Sequence, residues 1–286
     1  MIQIPSKHIL EREYKEEQKL LKYQRALSLF VRELASVKGR VILTLDGRDT
    51  AGKWYTITNA TRHLNPNSHT TKFFPRPTDE EKDLWSKKPE EWFKRYSEFF
   101  PEEWKITFFD RSWYNRALVE LVMWFCSREQ YEWFMENVNT FESSIKDEYH
   151  AQLVKIYLSV SKKVQAERLE KRKDPLTNWK VSIVDQSAQE KWDDYTWAKW
   201  NMLKKTNTWE NPWHVIDSNT RIKWVIEVIR SLILSYPDLA QFIQDELKWD
   251  QKISLTFNPK IHRMWDKEYQ KMQDKWKLWK ISQILV

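Results

Sequence analysis

The sequence predicts an α/β fold in which a parallel β-sheet is covered by helices on both faces. Short apolar segments alternate with longer amphipathic ones along most of the chain, and a Gly-x-x-x-x-Gly-Lys motif follows the first apolar segment. Alternating strands and helices favour parallel strands joined by right-handed crossovers. The carboxyl ends of such strands meet at one edge of the sheet, and ligands bind there.

Each element is predicted from its hydrophobic spacing. Residues 9–37 carry apolar side chains at helical spacing, which predicts one long amphipathic helix or two shorter ones. Strands are predicted at 41–45, 70–74, 105–109, 153–160 and 213–217. Helices are predicted at 54–64, 79–100, 114–146, 162–172, 185–205 and 220–235.

The character of the chain changes after Pro237. Residues 238–286 are polar, rich in Trp and Lys, and contain only short apolar runs. We therefore predict an N-terminal helical segment at 1–37, a main domain at 38–236 and a C-terminal helical appendage at 237–286.

Composition limits the class of protein. No run of about 18 apolar residues occurs and the first residues lack the apolar core of a signal peptide, so we expect a cytoplasmic protein without a membrane span. The single cysteine, Cys126, excludes an internal disulfide framework and a cysteine-based zinc site, and is better explained as a buried thiol than as a nucleophile. The net charge of +7 favours polyanionic partners, although ordinary solubility would also explain it.

The motif Gly47–Lys53 has the composition of a phosphate-binding loop. Gly47 and Gly52 let backbone N–H groups approach an anion, and Lys53 adds a positive charge at the start of the next helix. The loop is completed by Arg48, Asp49, Thr50 and Ala51. A hydroxyl residue usually follows the lysine and reaches Mg²⁺, but Trp54 stands there instead. A purely structural turn is the alternative interpretation.

Two carboxylates are candidates for holding Mg²⁺. Asp110 ends a predicted strand, and Asp49 lies inside the loop, where it would repel phosphates unless a cation lay between them. Asp49 could instead cap the following helix. Arg111, Asn115 and Arg116 follow Asp110 closely, and the guanidinium forks of arginine match phosphate oxygens.

A second basic cluster follows the fourth predicted strand. It comprises Arg168, Lys171, Arg172 and Lys173 at the end of a helix that Pro175 terminates. A basic helix followed by a turn is typical of a lid that closes over phosphates, and we place this lid at about 165–190. A solvated helix face is the alternative.

Several motifs together resemble polyphosphate kinase family 2. The similarity runs in unbroken order over roughly residues 15–235, and the run from Phe109 to Ala117 is its most specific part. The matching segments are Gly47–Lys53, Leu64–Pro66, Pro75–Thr78, Phe109–Ala117, Glu120, Phe125–Cys126, Asp174–Leu176, Trp179–Ser182, Trp192–Thr196 and Pro212–Asp217.

The resemblance implies a three-layer phosphate-loop kinase fold similar to thymidylate kinase. It further implies phosphoryl transfer between inorganic polyphosphate and a nucleotide with Mg²⁺, with ADP as the preferred acceptor, AMP next and GDP a further candidate. By the same resemblance Asp49, Lys53 and Asp110 are the loop carboxylate, loop lysine and strand carboxylate. The acceptor side would comprise Arg111, Asn115, Arg116 and Glu120, and the lid would contain Arg168, Arg172 and Lys180. Homodimers or homotetramers are expected, with neither a membrane nor a specific nucleic acid as partner.

Tryptophans stand where the family usually has glycine or another small residue. Trp54 and Tyr55 follow the loop lysine, and Trp104 and Trp124 occupy further positions of this kind. The chain has only 3 glycines and as many as 18 tryptophans, so the glycine deficit and the tryptophan excess can have one cause. We hypothesise that the fold survives and that catalysis is weakened.

Two other functions remain open at this stage. An ATP-dependent nucleotide or nucleoside kinase would share the fold but would not make ATP from polyphosphate and ADP. A catalytically impaired polyanion-binding protein could use the surplus tryptophans to stack on bases, and its binding would depend steeply on salt without Mg²⁺-dependent chemistry.

Overall fold

The centre of the structure, a computed structural model that describes residues 7–174 and 187–246, is a parallel β-sheet. The described residues form five strands in the order β2-β3-β1-β4-β5. They are β1 Val41–Gly47, β2 His69–Phe73, β3 Ile106–Asp110, β4 Gln152–Ser159 and β5 Trp213–Asp217. The five predicted strands are confirmed, with ends that shift by one or two residues.

Strand β1 is central and brings the candidate groups together. It is buried along almost its whole length and pairs with β3 on one side and β4 on the other. Leu45 lies opposite Asp110, so the loop that follows Gly47 and the residues that follow Asp110 leave the sheet at the same edge.

Helices connect the strands. They are α1 Lys7–Leu34, α2 Lys53–Thr61, α3 Asp79–Lys87, α4 Glu91–Ser97, α5 Val119–Val122, α6 Arg128–Asp147, α7 Lys162–Lys171, α8 Trp192–Thr206, α9 Arg221–Ile233 and α10 Pro237–Glu246. Short 3₁₀ helices cover Pro66–Ser68 and Trp113–Ala117. No helix within 7–174 and 187–246 is long and apolar enough to cross a membrane.

Two predicted helices are each broken into shorter pieces. The helix predicted at 79–100 stops at Lys88, because that residue precedes Pro89 and is held outside the α region. The prediction of one helix at 114–146 is wrong in its first half. A 3₁₀ turn and the short α5 come first, and α6 begins only where Ser127 and Gln130 form a capping box.

Apolar side chains fill both faces of the sheet. One cluster joins Leu43, Leu45 and Ile156 to residues of α1, α2, α9 and α10. The other joins Ile42 and Phe109 to residues of α4, α6 and α8. Neighbouring residues of β1 therefore point into opposite clusters, as a sheet buried on both faces requires. The predicted three-layer α/β fold is confirmed.

The terminal helices belong to the same core. Tyr23, Leu27 and Phe30 of α1 are fully buried, and Leu239 and Ile243 of α10 are buried in the same cluster. The division of the chain at residues 37 and 237 therefore stays a prediction. Residues 247–286 of the predicted appendage lie outside the described residues.

Candidate active site

The loop between β1 and α2 has a backbone that only glycine fits at two places. Gly47 has φ 142° and Gly52 has φ 103°, both in the region that side chains disfavour. A Cβ on Gly47 would lie 2.6 Å from the Leu158 carbonyl oxygen, and a Cβ on Gly52 would lie 2.8 Å from the Trp224 ring. The two glycines let the loop pass tightly over β4 and α9.

The Lys53 side chain lies against the backbone of the loop. Its Nζ donates to the carbonyl oxygens of Gly47 at 2.9 Å and Arg48 at 3.2 Å. Burial and the nearby Arg111 guanidinium lower the pKa of Lys53, and the carboxylates of Asp110, Asp49 and Asp46 oppose this shift. The lysine is thus held among three acidic groups and the loop carbonyls, and its role as a phosphate ligand stays a prediction.

Asp110 has an oxygen that suits a metal ion. The side chain is buried, and among the residues the structure describes its Oδ1 has no hydrogen-bond partner. Burial raises the pKa of Asp110, while Lys53 and Arg111 act in the opposite direction. The described residues contain no group of three or more His, Cys, Asp or Glu able to hold a metal. One or two carboxylates completed by substrate phosphates is the usual arrangement for Mg²⁺, so the residues fit this ion.

Asp49 and Arg111 form an ion pair at the mouth of the site. Arg111 Nη2 lies 2.8 Å from Asp49 Oδ1. These two residues, with Asp46, Gly47 and Asn115, help to line a pocket of about 340 Å³, counting the space that opens to solvent. Asp49 therefore faces the same pocket as the predicted phosphate-binding residues, and its role as a metal ligand stays a prediction.

Arg48 is held by the first turn of α8. Its guanidinium lies 3.7 Å from the ring centroid of Trp192 and donates to Thr196 Oγ1. Tyr195 lies between these two residues in the sequence and lines the same pocket. The helix thus fixes one side of the loop and adds aromatic surface to the site.

Helix α7 fixes the other side of the loop. Gln165 Nε2 donates to the Asp49 carbonyl at 3.0 Å, and Arg168 Nη1 donates to the Thr50 carbonyl at 3.0 Å. Arg168 Nη2 also reaches the Ser218 carbonyl at 2.7 Å. Of the predicted lid residues, Arg168 is therefore engaged with loop backbone, Arg172 caps the end of α7, and Lys180 lies outside the described residues.

Arg116 and Glu120 lie apart from the loop. Arg116 Nε is 3.2 Å from Glu120 Oε2, both side chains are buried, and the guanidinium lies 4.1 Å from the Trp92 ring centroid. Arg116 lines a second pocket together with Trp85, Trp92 and Gln130. The described contacts do not join this pair to Lys53 or Asp110, so its catalytic role stays a prediction.

A buried network supports the segment that follows Asp110. On one side Asp46 accepts hydrogen bonds from Ser112 N at 3.3 Å and Ser112 Oγ at 2.7 Å, and burial raises the pKa of Asp46 to about 6. On the other side Lys155 Nζ lies 2.6 Å from Glu142 Oε2, which is fully buried with it. Glu142 Oε1 in turn accepts from Trp113 Nε1 at 3.1 Å.

The sequence analysis did not assign a role to several residues that contact the loop or its neighbours. Among them are Asp46, Gln165, Tyr195 and Thr196. Asp46 directly precedes the first loop glycine, and that position was a signal for it. The other three come from helices more than 100 residues away, and only the docking of α7 and α8 brings them to the loop.

Comparison with known proteins agrees with this geometry. The Polyphosphate kinase 2 (PPK2) family model matches residues 10–241. The chain is 39% identical over 230 residues to ADP-polyphosphate phosphotransferase 1 of Rhizobium meliloti (strain 1021), which is 80% of this chain and 74% of that protein. It is also 39% identical over 210 residues to GDP-polyphosphate phosphotransferase of Pseudomonas aeruginosa, which is 72% of this chain and 57% of that protein.

Solved structures agree as well. The crystal structure of Polyphosphate Kinase 2 from Arthrobacter aurescens TC1 superposes with a TM-score of 0.68 at 29% identity, and the match covers 80% of each chain. Residues 10–241, which the family model matches, include the loop, Asp110 and the helices that hold them. The chain therefore belongs to the polyphosphate kinase 2 family.

Proposed function

We propose that this protein transfers a phosphoryl group reversibly between inorganic polyphosphate and a nucleoside mono- or diphosphate, with ADP preferred and AMP and GDP as further acceptors. The observation that carries the proposal is the placement of the glycine loop, Lys53 and the orphaned Asp110 oxygen at one sheet edge. Relatives named as ADP- and GDP-polyphosphate phosphotransferases support the choice of donor and acceptor.

In the direction of ATP formation, an oxygen of the ADP β-phosphate attacks the terminal phosphorus of polyphosphate. The new P–O bond forms as the bridging P–O bond breaks, and the products are ATP and a polyphosphate shorter by one unit. Little covalent help from the protein is needed, because alignment and charge neutralisation lower the barrier. Mg²⁺ bound at Asp110, with Asp49 as a second candidate ligand, would neutralise phosphate charge.

The residues of the chain supply the remaining positive charge. Lys53 lies at the loop carbonyls and can turn its ammonium group towards a bound phosphate. Arg111 and Arg48 flank the pocket, and Arg111 keeps Asp49 in place. We further propose a homodimer or homotetramer acting in the cytoplasm, and light scattering of the purified protein gives the subunit number.

The test is Mg²⁺-dependent formation of ATP from ADP and long-chain polyphosphate. Lys53→Ala is expected to lower the rate about 100-fold or more, as removal of a charge-stabilising donor does. Lys94→Ala is the matched control, because Lys94 is an exposed lysine 3.4 Å from Glu91 on the surface, and its rate should equal that of the wild type. No ATP from polyphosphate, together with phosphorylation of a nucleotide by ATP, would instead favour an ATP-dependent kinase.

A further inference from the structure

Tyr195, in the first turn of α8, lies in the loop pocket. Two residues beside it contact Arg48. The Trp192 ring centroid lies 3.7 Å from the Arg48 guanidinium, and the Thr196 hydroxyl accepts a hydrogen bond from it. The Tyr195 ring lies 5.7 Å from the Arg48 guanidinium and lines the pocket together with Asp49 and Arg111. The position of the phenol is therefore set by contacts of its own helix with the loop.

The hydroxyl of Tyr195 lacks a hydrogen-bond partner in the part of the chain that the structure describes. The side chain is only 6% exposed, and within residues 7–174 and 187–246 its oxygen makes no hydrogen bond. A buried hydroxyl without a partner costs free energy, so a buried tyrosine normally finds one. A buried hydroxyl without a partner among the described residues, on a side chain that lines a pocket, points to a ligand.

The surroundings define the chemistry of that ligand. Burial is the main cause that raises the pKa of Tyr195, and the Asp49 carboxylate adds to it. The phenol thus keeps its proton and can donate a hydrogen bond. Arg48 and Arg111 line the same pocket, so the acceptor that fits between them is an anionic oxygen.

We propose that the Tyr195 hydroxyl donates a hydrogen bond to a phosphate oxygen of the bound substrate, in the pocket between Arg48 and Arg111. The proposal rests on the proposed function and adds Tyr195 to the residues that contact substrate. A terminal phosphate of polyphosphate and a phosphate of the nucleotide offer the same oxygen, and the experiment separates them.

The test compares Tyr195→Phe with Tyr131→Phe. Tyr131 is a matched control because its hydroxyl bonds Asn201 of the same helix α8, outside the pocket. Melting temperatures are measured without ligand, with polyphosphate alone and with Mg²⁺ and ADP alone, and kcat/KM is measured with both substrates.

Tyr195→Phe is expected to melt no lower than the wild type without ligand, because it removes a hydroxyl that has no partner among the described residues. The rise in melting temperature caused by the ligand that Tyr195 contacts should shrink, and kcat/KM should fall about 10- to 100-fold. Tyr131→Phe should keep the ligand-induced rise and kcat/KM.

Two results would overturn the proposal. A ligand-free Tyr195→Phe that melts below the wild type would show that the hydroxyl serves the fold. Wild-type values of kcat/KM and of both ligand-induced shifts would show that it contacts neither substrate. If the wild type makes no ATP from polyphosphate, the proposed function fails. The melting temperatures with polyphosphate alone and with Mg²⁺ and ADP alone still decide whether Tyr195 contacts a ligand.

A different observation concerns tryptophans in strained backbone. Trp104 and Trp124 have φ values of 56° and 57°, and Trp124 is 83% exposed. Phe125 N donates to the Glu120 carbonyl at 2.8 Å across the end of α5, which is a Schellman arrangement with Trp124 at the left-handed position. Glycine is the usual residue there, because any Cβ is disfavoured.

The composition of the chain also departs from the average, with too few glycines and too many tryptophans. Average usage of about 7% would give roughly 20 glycines in a chain of this length, but 3 are present beside 18 tryptophans. Trp54 and Trp209 are 58% and 88% exposed, where an indole gains little from burial. Two of the six non-glycine residues with positive φ in the described part of the chain are therefore tryptophans, and further tryptophans are exposed.

We infer that positions 104 and 124 are glycine in the protein as its own cell makes it, through a codon that this cell translates as glycine. The test is peptide sequencing by mass spectrometry of the protein purified from those cells. Glycine at both positions is the expected result, and tryptophan at either position would overturn the inference. The same spectra report positions 54 and 209.

Discussion

Breaking the buried ion pair between Lys155 and Glu142 is expected to destabilise the fold strongly, although neither residue lines the loop pocket. Lys155 is fully buried, and its Nζ donates to Glu142 Oε2 at 2.6 Å, to the Thr206 carbonyl at 2.7 Å and to the Tyr114 hydroxyl at 3.3 Å. Burial lowers the pKa of Lys155, and Glu142 opposes that shift.

Lys155→Met keeps the volume of the side chain and removes its charge. Glu142 is then a buried carboxylate without a cation, which costs about 3–5 kcal/mol of unfolding free energy. For a domain of this size, 1 kcal/mol corresponds to about 2–4 °C, so the melting temperature should fall by about 6–20 °C.

The double variant Lys155→Met with Glu142→Gln separates charge from packing. A glutamine can still accept from Trp113 Nε1, and no charge is left buried. The double variant should therefore lose only about 1–2 kcal/mol, the worth of one or two hydrogen bonds. Urea unfolding followed by circular dichroism measures all three. A single variant that loses less than about 1 kcal/mol, or a double variant no more stable than the single one, would refute the reasoning.

Three further predictions follow from single sites. Burial is the main cause that raises the pKa of Glu120 from 4.5 to about 7, so the folded state holds this proton more tightly than the unfolded state. Glu120 should thereby lower wild-type stability by up to about 3 kcal/mol as the pH rises through that window. Glu120→Gln should reduce the pH dependence in urea melts at pH 5 and 7.5 and leave the part due to Asp46, whose pKa is also raised; an unchanged dependence would contradict this. Trp124→Gly should raise the unfolding free energy by about 1 kcal/mol through relief of left-handed strain, whereas Trp124→Ala keeps a Cβ and should gain less; equal gains would show that strain is not the cause. Trp54 is 58% exposed and is not among the described residues that line the loop pocket. Trp54→Gly should therefore change kcat/KM by less than about threefold. A larger gain would show that the indole crowds the phosphates.

Local patterns were sufficient to predict the centre of the molecule. The apolar run of β1, the two glycines and Lys53 are contiguous, and Asp110 directly ends an apolar strand. Parallel strands predict that the loop and Asp110 leave the sheet at the same edge, whereas the register of Leu45 with Asp110 is known only from the structure.

Long-range docking could not be predicted from local patterns. The contacts of Gln165 with the loop and of Thr196 with Arg48 join residues more than 100 positions apart. The orientation of Arg116 also depends on tertiary structure, because a 3₁₀ turn at 113–117 replaces the predicted helix and turns the guanidinium onto Trp92. The helix break at Lys88 was signalled by Pro89, but the periodic pattern on both sides concealed it.

The central claim is that the glycine loop, Lys53 and Asp110 together hold a transferable phosphoryl group. A crystal structure of the protein with ADP, polyphosphate and Mg²⁺ tests it most directly. We expect a phosphate on the loop N–H groups, Lys53 Nζ turned from the carbonyls of Gly47 and Arg48 to that phosphate, and Mg²⁺ on Asp110 Oδ1. A bound nucleotide that leaves Lys53 on those carbonyls, with the loop and Asp110 without ligand, would contradict the claim.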